Sequence, residues 1–379
     1  MNVITYDVLG KLPDPFLFDN GKRVVTKEDW QKRRQEIYKT AVELQYGKIP
    51  PDPEFLVADA NTYLDKETVS CTIITGTREK PVRFGMKIFK PNGFGKFPAV
   101  VDGDLCFKYP YNEDFIKSFT DSGIMLVLFD RTELAPDRRE LGRYGQLYDT
   151  YKEYDFGAIA AWAWGYSRCV DALEKFDIVD SGCITFTGHS RGAKTACLAG
   201  VIDERATIVN PNSTCAGSSG CYRIHMSADT EDNYEVRSET LDDLIREYDF
   251  WMGPDLKKYR NCEEKLPFDC HFLKSLIAPR VYYDSLAISD IWSNPIGAWQ
   301  TDMAAKEVYK FLGVENNIYW SFRPGYHYHK VEDVKKLVRL ILHIKDKEPL
   351  GDGFFNVPFE KPELIFDWRA PLGKNSMEG

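Results

Sequence analysis

Nowhere in its 379 residues does the chain hold an apolar run approaching the roughly 20 positions that a membrane-spanning helix needs. It has no basic stretch either, and its 49 Lys and Arg are outnumbered by 58 Asp and Glu, for a net charge of −9. Nucleic acid binding needs a basic face, so neither nucleic acid nor a membrane is an expected partner. Neither C-x-x-C nor a zinc-type spacing of Cys and His occurs, and the serine chemistry set out below needs no metal and no organic cofactor. The N-terminus, Met1-Asn2-Val3-Ile4-Thr5-Tyr6-Asp7, lacks the basic region, apolar core and small-residue cleavage site of an export signal. That predicts a cytoplasmic protein, with secretion after removal of a signal as the alternative. The nine cysteines are odd in number, and Cys169, Cys183 and Cys197 fall in apolar patterns where thiols pack as small hydrophobes. Cys215 with Cys221, or Cys262 with Cys270, would pair only in an oxidising compartment.

What the chain does have is one organising stretch, Cys183 to Leu198. It reads as an apolar strand, a tight turn and the start of a helix, with Gly188, Ser190 and Gly192 in G-x-S-x-G spacing. Small residues on either side let such a turn close so sharply that the serine hydroxyl stands above the sheet. Presentation at a helix N-terminus places unpaired N–H groups and the positive end of the helix dipole beside a developing oxyanion. The alternative is an ordinary Gly-Ser turn, which the strand before and the helix after argue against. Arg191 follows the serine directly, so its N–H lines an oxyanion hole and its guanidinium can assist the same charge. Lys194, one helical turn on, lies near the same rim. Two cations beside an acylating serine predict an anionic or strongly polar substrate.

Around that stretch the pattern is that of one domain with appendages. Residues 1–66 read as an N-terminal helical arm: Thr26-Lys27-Glu28-Asp29 has capping-box spacing, with Trp30, Ile37, Ala41 and Leu44 at helical intervals. Lys32-Arg33-Arg34 reads as a solvated face of that helix. Residues 67–348 form the body, in which Val69–Ile74 and Pro81–Phe89 lead, as antiparallel strands, into alternating strands and helices. Alternation of that kind predicts a mostly parallel central sheet in a three-layer α/β sandwich, and with the elbow an α/β-hydrolase fold. The loop Asp102-Gly103-Asp104 stands where such a fold supplies a second oxyanion-hole N–H. The Trp pair of the helix from Gly157 to Gly165 reads as packing, being set among small apolar residues. Residues from about 227 to 269 show no clear sheet strand and read as an insertion over the site, and 349–379 as a C-terminal tail.

Hydrolases of this fold carry their triad in the order Ser, acid, His. His327 follows the strand Ile318–Phe322 and Asp290 follows the strand after Ala278-Pro279-Arg280. His329 is the rival base, and Asp284 and Asp302 are rival acids. Parallel strands put the loops that bear these residues on one face. The chemistry predicted is nucleophilic attack by Ser190 on an ester, with His327 as base, Asp290 orienting it, and a small-molecule or oligosaccharide ester as substrate.

At these residues the chain resembles the glucuronoyl esterases of carbohydrate esterase family 15, particularly their bacterial branch. The resemblance rests on Leu12-Pro13-Asp14-Pro15, Ala135-Pro136-Asp137, the helix from Gly157 to Gly165, Gly188-His189-Ser190-Arg191, Ile277-Ala278-Pro279-Arg280, Asp290-Ile291-Trp292 and Pro324-Gly325-Tyr326-His327. It implies Ser190 as nucleophile, His327 as base, Asp290 as acid and the Arg191 side chain in the oxyanion hole. It further implies that Lys194, Trp292 and Glu239 contact a glucuronate or 4-O-methyl-glucuronate sugar. Two positions depart from the family: Cys215 stands where many members carry a glutamate, and Ala193 where a glycine is usual. An acetyl xylan or other carbohydrate acetyl esterase on the same machinery is the alternative enzyme, and a silent sugar-binding relative the alternative outside enzymology.

Overall fold

A computed structural model describes residues 4–60, 66–229 and 235–371. Residues 1–3 and 61–65 of the N-terminal segment, 230–234 of the insertion and 372–379 of the tail lie outside the described residues. In chain order the strands are β1 (Ile4–Val8), β2 (Phe55–Ala60), β3 (Thr68–Gly76), β4 (Pro81–Phe89), β5 (Phe97–Asp102) and β6 (Met125–Phe129). After them come β7 (Val179–His189), β8 (Ile208–Asn212), β9 (Ile224–Asp229), β10 (Glu235–Arg237), β11 (Val281–Ala287) and β12 (Ile318–Arg323).

Nine of these make one sheet in the order β12-β11-β8-β7-β5-β6-β4-β3-β2. The pairings from β6 through β12 are parallel, and β4, β3 and β2 are added antiparallel at one end. The centre of the sheet is covered on both faces, which is why its strands read as continuous apolar runs. In β6, Met125, Val127 and Phe129 join one core while Leu126 and Leu128 join the other, as the two-residue period of a strand requires. The first core is closed by the helices Ala158–Phe176, Arg191–Ile202, His271–Ile277 and Pro295–Leu312, the second by Glu113–Thr120 and Val331–Asp346. This is the three-layer α/β-hydrolase architecture. Trp162 and Trp164 are buried in the first core, their indole N–H groups donated to backbone carbonyls of Ala135 and Pro51.

Within residues 1–66, Thr26 caps the helix Lys27–Ile37 in a reciprocal capping box with Asp29, and Trp30 and Ile37 are buried. Arg33 departs from the expected solvated face. It is buried, and its Nη1 donates to Asp19 and Glu36, both at 2.7 Å, so the helix presses this guanidinium into the body rather than showing it to water. β2, from the same segment, is the outer strand of the central sheet. The stretch expected to hold no strand also differs: β9 pairs with β1 on one side and β10 on the other in a separate three-stranded sheet. In β9, buried Ile224, Met226 and Ala228 alternate with His225, Ser227 and Asp229, and that short alternation among charged neighbours is what hid it.

Candidate active site

The parallel strands deliver their C-terminal loops to one edge, and the site is assembled there. The loop after β7 is the elbow. Ser190 has φ +57° and ψ −118°, a conformation disfavoured for a residue with a side chain, and its N–H is tied to the carbonyl of Asn212 at 2.9 Å. The flanking glycines are needed for space: a Cβ at Gly188 would lie 2.6 Å from the backbone of Gly192, and one at Gly192 would overlap the Asp104 carboxylate.

His327, from the loop after β12, places Nε2 3.0 Å from Ser190 Oγ and Nδ1 2.8 Å from Asp290 Oδ2. Asp290 follows β11 and is 3 % exposed. Ser293 secures it, its hydroxyl donating to Oδ2 at 2.6 Å and its N–H to Oδ1 at 3.3 Å. An ionised Asp290 accepts the Nδ1 proton of the imidazole, which leaves Nε2 as acceptor for the serine hydroxyl. The rival acids are elsewhere: Asp284 and Asp302 both pair with Lys274 in the core. The rival base His329 packs parallel to His189 with ring centroids 5.6 Å apart, edge-on to Tyr109 and Phe115. Burial lowers the pKa of both His189 and His329 to about 3, so each is a neutral ring supporting the site.

The loop expected to supply a second oxyanion-hole N–H does something different. The Gly103 N–H donates to Tyr166 Oη at 3.0 Å and the Asp104 N–H to Asp102 Oδ1 at 2.8 Å, so both are engaged. Asp104 instead turns its carboxylate to the elbow, accepting the His189 N–H at 2.8 Å along with Tyr109 Oη and Arg131 Nη1. The loop therefore braces the turn from beneath.

On the far side of Ser190 lie the two cations. Arg191 Nη1 donates to Asp137 Oδ2 at 2.9 Å, and its guanidinium carbon sits 4.9 Å from the Trp251 ring centroid. Lys194 is 3 % exposed and donates to Glu239 Oε2 at 2.5 Å and to the Ala216 carbonyl at 2.6 Å. Burial raises the pKa of Glu239 even though Lys194 opposes the rise. Trp292 is half-buried on the same wall, its carbonyl accepting the Glu239 N–H at 3.1 Å. Cys215 lies beside them with Sγ 3.4 Å from the Glu239 carbonyl, and burial pushes its thiol far up, so it stays protonated.

One cleft is lined by Ser190, Arg191, Lys194, Glu239, Trp292 and His327, together with Ser213, Thr214, Cys215, Tyr248 and Trp251. The structure thus brings Ser190, His327, Asp290, Arg191, Lys194, Trp292 and Glu239 into a single neighbourhood. Sequence reasoning missed Tyr248 and Trp251, and it treated Asp137 only as part of a resemblance. No periodicity marks these positions, and the one available signal is the density of aromatics in the 227–269 segment. All nine cysteines are unpaired thiols, so neither Cys215–Cys221 nor Cys262–Cys270 is bridged. Among the described residues, no group of three or more His, Cys, Asp or Glu is placed to hold a metal ion.

Residues 73–313 match the family described as "Glucuronyl esterase, fungi". The chain belongs to the glucuronoyl esterase family. It is 31 % identical over 321 residues to a 4-O-methyl-glucuronoyl methylesterase of Podospora anserina, an alignment covering 83 % of this chain and 63 % of that one. Among solved structures, a carbohydrate esterase family 15 glucuronoyl esterase from Caldicellulosiruptor kristjansonii superposes with a TM-score of 0.81 at 27 % identity, over 96 % of this chain and 98 % of the other. The glucuronoyl esterase catalytic domain from Hypocrea jecorina superposes with a TM-score of 0.76 at 25 % identity, over 97 % and 98 %. Glucuronoyl esterases are carboxylic ester hydrolases, the class of chemistry that the elbow predicts. The cytoplasmic expectation is corrected by the relatives: the fungal 4-O-methyl-glucuronoyl methylesterases point against a cytoplasmic location. The physical reason for the error is that an N-terminal stretch reports only on itself. No helix among the described residues is long and apolar enough to cross a membrane.

Proposed function

We propose that this glucuronoyl esterase family member hydrolyses esters of glucuronate or 4-O-methyl-glucuronate, with Ser190 as nucleophile. The observation that carries the reading is the continuous relay from Ser190 Oγ to His327 (3.0 Å) to Asp290 (2.8 Å), opening onto a cleft that also holds the Lys194–Glu239 pair. His327 takes the serine proton as Oγ attacks the ester carbonyl, and Asp290 stabilises the imidazolium that forms. Negative charge then develops on the carbonyl oxygen, facing the N-terminus of the helix Arg191–Ile202 and the Arg191 guanidinium. His327 returns the proton to the departing alcohol, and water attacking the acyl-enzyme repeats the sequence to release the acid. In a uronate ester the sugar ring is the acyl part, so its hydroxyls lie against the elbow helix, within reach of Lys194, Glu239 and Trp292.

The test is parallel hydrolysis of a glucuronate methyl ester, a glucuronate benzyl ester and an acetylated sugar by the protein and by Ser190→Ala. The uronate esters should be the better substrates, and Ser190→Ala should lower their turnover by at least ~10³. A preference for the acetylated sugar, or comparable turnover by Ser190→Ala, would overturn the proposal.

A further inference from the structure

Arg191 sits in the cleft beside one carboxylate, Asp137, and near a second cation, Arg131, which Asp104 also pairs. Its side chain is about one-third exposed, so solvent is an available alternative for the guanidinium. A second guanidinium, that of Arg131, is fully buried nearby, is repelled by Arg191, and has no hydrogen-bond partner for its own Nη2. Between the two stands Asp137, with Oδ2 2.9 Å from Arg191 Nη1 and 3.9 Å from Arg131 Nη2. Its other oxygen is fixed as well, accepting the Trp251 indole N–H at 2.9 Å. Trp251 in turn lies under the Arg191 guanidinium and is stacked on Tyr248 at 3.9 Å and 9°. One carboxylate therefore joins the chain before the elbow to the insertion after it, with Arg191 between.

Resting on the oxyanion role proposed for Arg191, we infer that Asp137 is the positioning residue of the oxyanion hole. It holds the Arg191 guanidinium against Trp251 in the cleft that Ser190 also lines, and it screens that guanidinium from Arg131. The Asp137 carboxylate occupies one N–H of a group that has five, so the remaining donors stay available to the transition state. An asparagine is the discriminating replacement. Its carbonyl keeps the acceptor for Trp251, but its amide turns a donor toward Arg191 and removes the negative charge between two cations, so the shape survives and the clamp does not.

The experiment is a double-mutant cycle on a glucuronate benzyl ester, with kcat and KM resolved and a thermal melt recorded for each protein. Removing one oxyanion donor lowers kcat by about 10²–10³, so Arg191→Ala should fall in that range. Asp137→Asn should lower kcat by about tenfold to a hundredfold, a part of that loss, with KM within about threefold of the parent, since the contact is made in the transition state. In the Arg191→Ala background Asp137→Asn should then cause no further loss. Trp251→Phe keeps the ring but deletes the N–H to Asp137, and should give a smaller fall in kcat in the same direction. It also carries the test if Asp137→Asn does not fold. Arg191→Ala with parental turnover would overturn the oxyanion reading beneath the proposal. A full Arg191→Ala loss alongside parental Asp137→Asn turnover would overturn the positioning alone, as would an Asp137→Asn loss that persists undiminished without Arg191.

Discussion

Two lysines in this molecule are buried against carboxylates, and they are built for different ends. Lys274 is wholly enclosed in the core and donates to Asp284 at 2.7 Å, to Asp302 at 2.6 Å and to the Ala298 carbonyl at 3.2 Å. An ammonium has three protons to donate, and here all three are used within the fold. Lys194 meets two acceptors among the described residues, Glu239 and the Ala216 carbonyl, and it lines the cleft beside Ser190. Its third proton has no acceptor among the described residues. Both pairs carry the desolvation penalty of buried charge, but only the one with an unused donor has something to offer a ligand. Counting donors separates a structural ion pair from a candidate binding one where burial alone does not.

The strongest way to break that distinction is to remove each ammonium and ask what fails. Lys274→Met leaves two carboxyl groups buried without a cation, and loss of one partner from such a cluster costs about 3–5 kcal/mol. Urea unfolding should show a destabilisation of that size, with the protein that remains folded still turning over substrate normally. Parental stability would mean that the cluster of Lys274 with Asp284 and Asp302 is not the structural element it is taken for. Lys194→Met should act in the opposite sense. Hydrolysis of a glucuronate ester should weaken by about 1–3 kcal/mol in transition-state terms, the range for a charge-assisted hydrogen bond, while an aryl acetate is hydrolysed almost unchanged. Its cost to stability should be the smaller of the two, because burial already favours a proton on Glu239 and a protonated Glu239 needs no cation. Equal losses on both substrates would indicate that the elbow helix is disturbed, and no loss on either would count against the uronate reading.

The same pair of lysines shows how far the sequence could be read. The elbow was legible because its constraints are local: Gly188, Ser190 and Gly192 sit within five residues, and the apolar strand and the helix flank them directly. Asp290 and His327 were reachable because a parallel sheet sends strand ends to a common edge, so chain order alone narrows the choice. That logic favoured Asp290 but left Asp284 and Asp302 as rivals; the fold puts Asp284 inside β11 and Asp302 in the helix Pro295–Leu312, both paired with Lys274. Asp137, Tyr248 and Trp251 were beyond reach for a related reason. They belong to segments without a repeating pattern, and their partners come from 54 and 114 residues away, for Arg191 and Trp251 on Asp137. The N–H groups of Gly103 and Asp104 are a further case: the loop was expected to supply an oxyanion-hole N–H, but whether an N–H is free depends on Tyr166 and Asp102, which only the folded chain brings to it.

The smallest effect is expected at Asp302, and it sharpens the account of the core triad through its sign. Burial raises the pKa of Asp302 well above the usual carboxylate range, Lys274 opposes the rise, and the neighbouring Asp284 adds to it. Burial and Asp284 thus favour a proton on Asp302, and Lys274 disfavours it. A carboxyl group whose folded pKa lies above its unfolded value binds its proton more tightly when folded. Its favourable contribution is therefore complete below the unfolded value of about 3.9 and is lost as pH rises through the window up to the folded pKa. Asp302→Asn replaces a protonated carboxyl with a neutral amide of the same shape and has no such loss to undergo. At pH 4 the variant should be less stable than the parent by about 1 kcal/mol, the net worth of a reshaped hydrogen bond. As pH rises toward 8 the gap should close or invert. Unfolding midpoints in urea at three or four pH values decide it. A gap that widens with pH would show that Lys274 keeps Asp302 ionised, and that the core triad carries two negative charges on one cation.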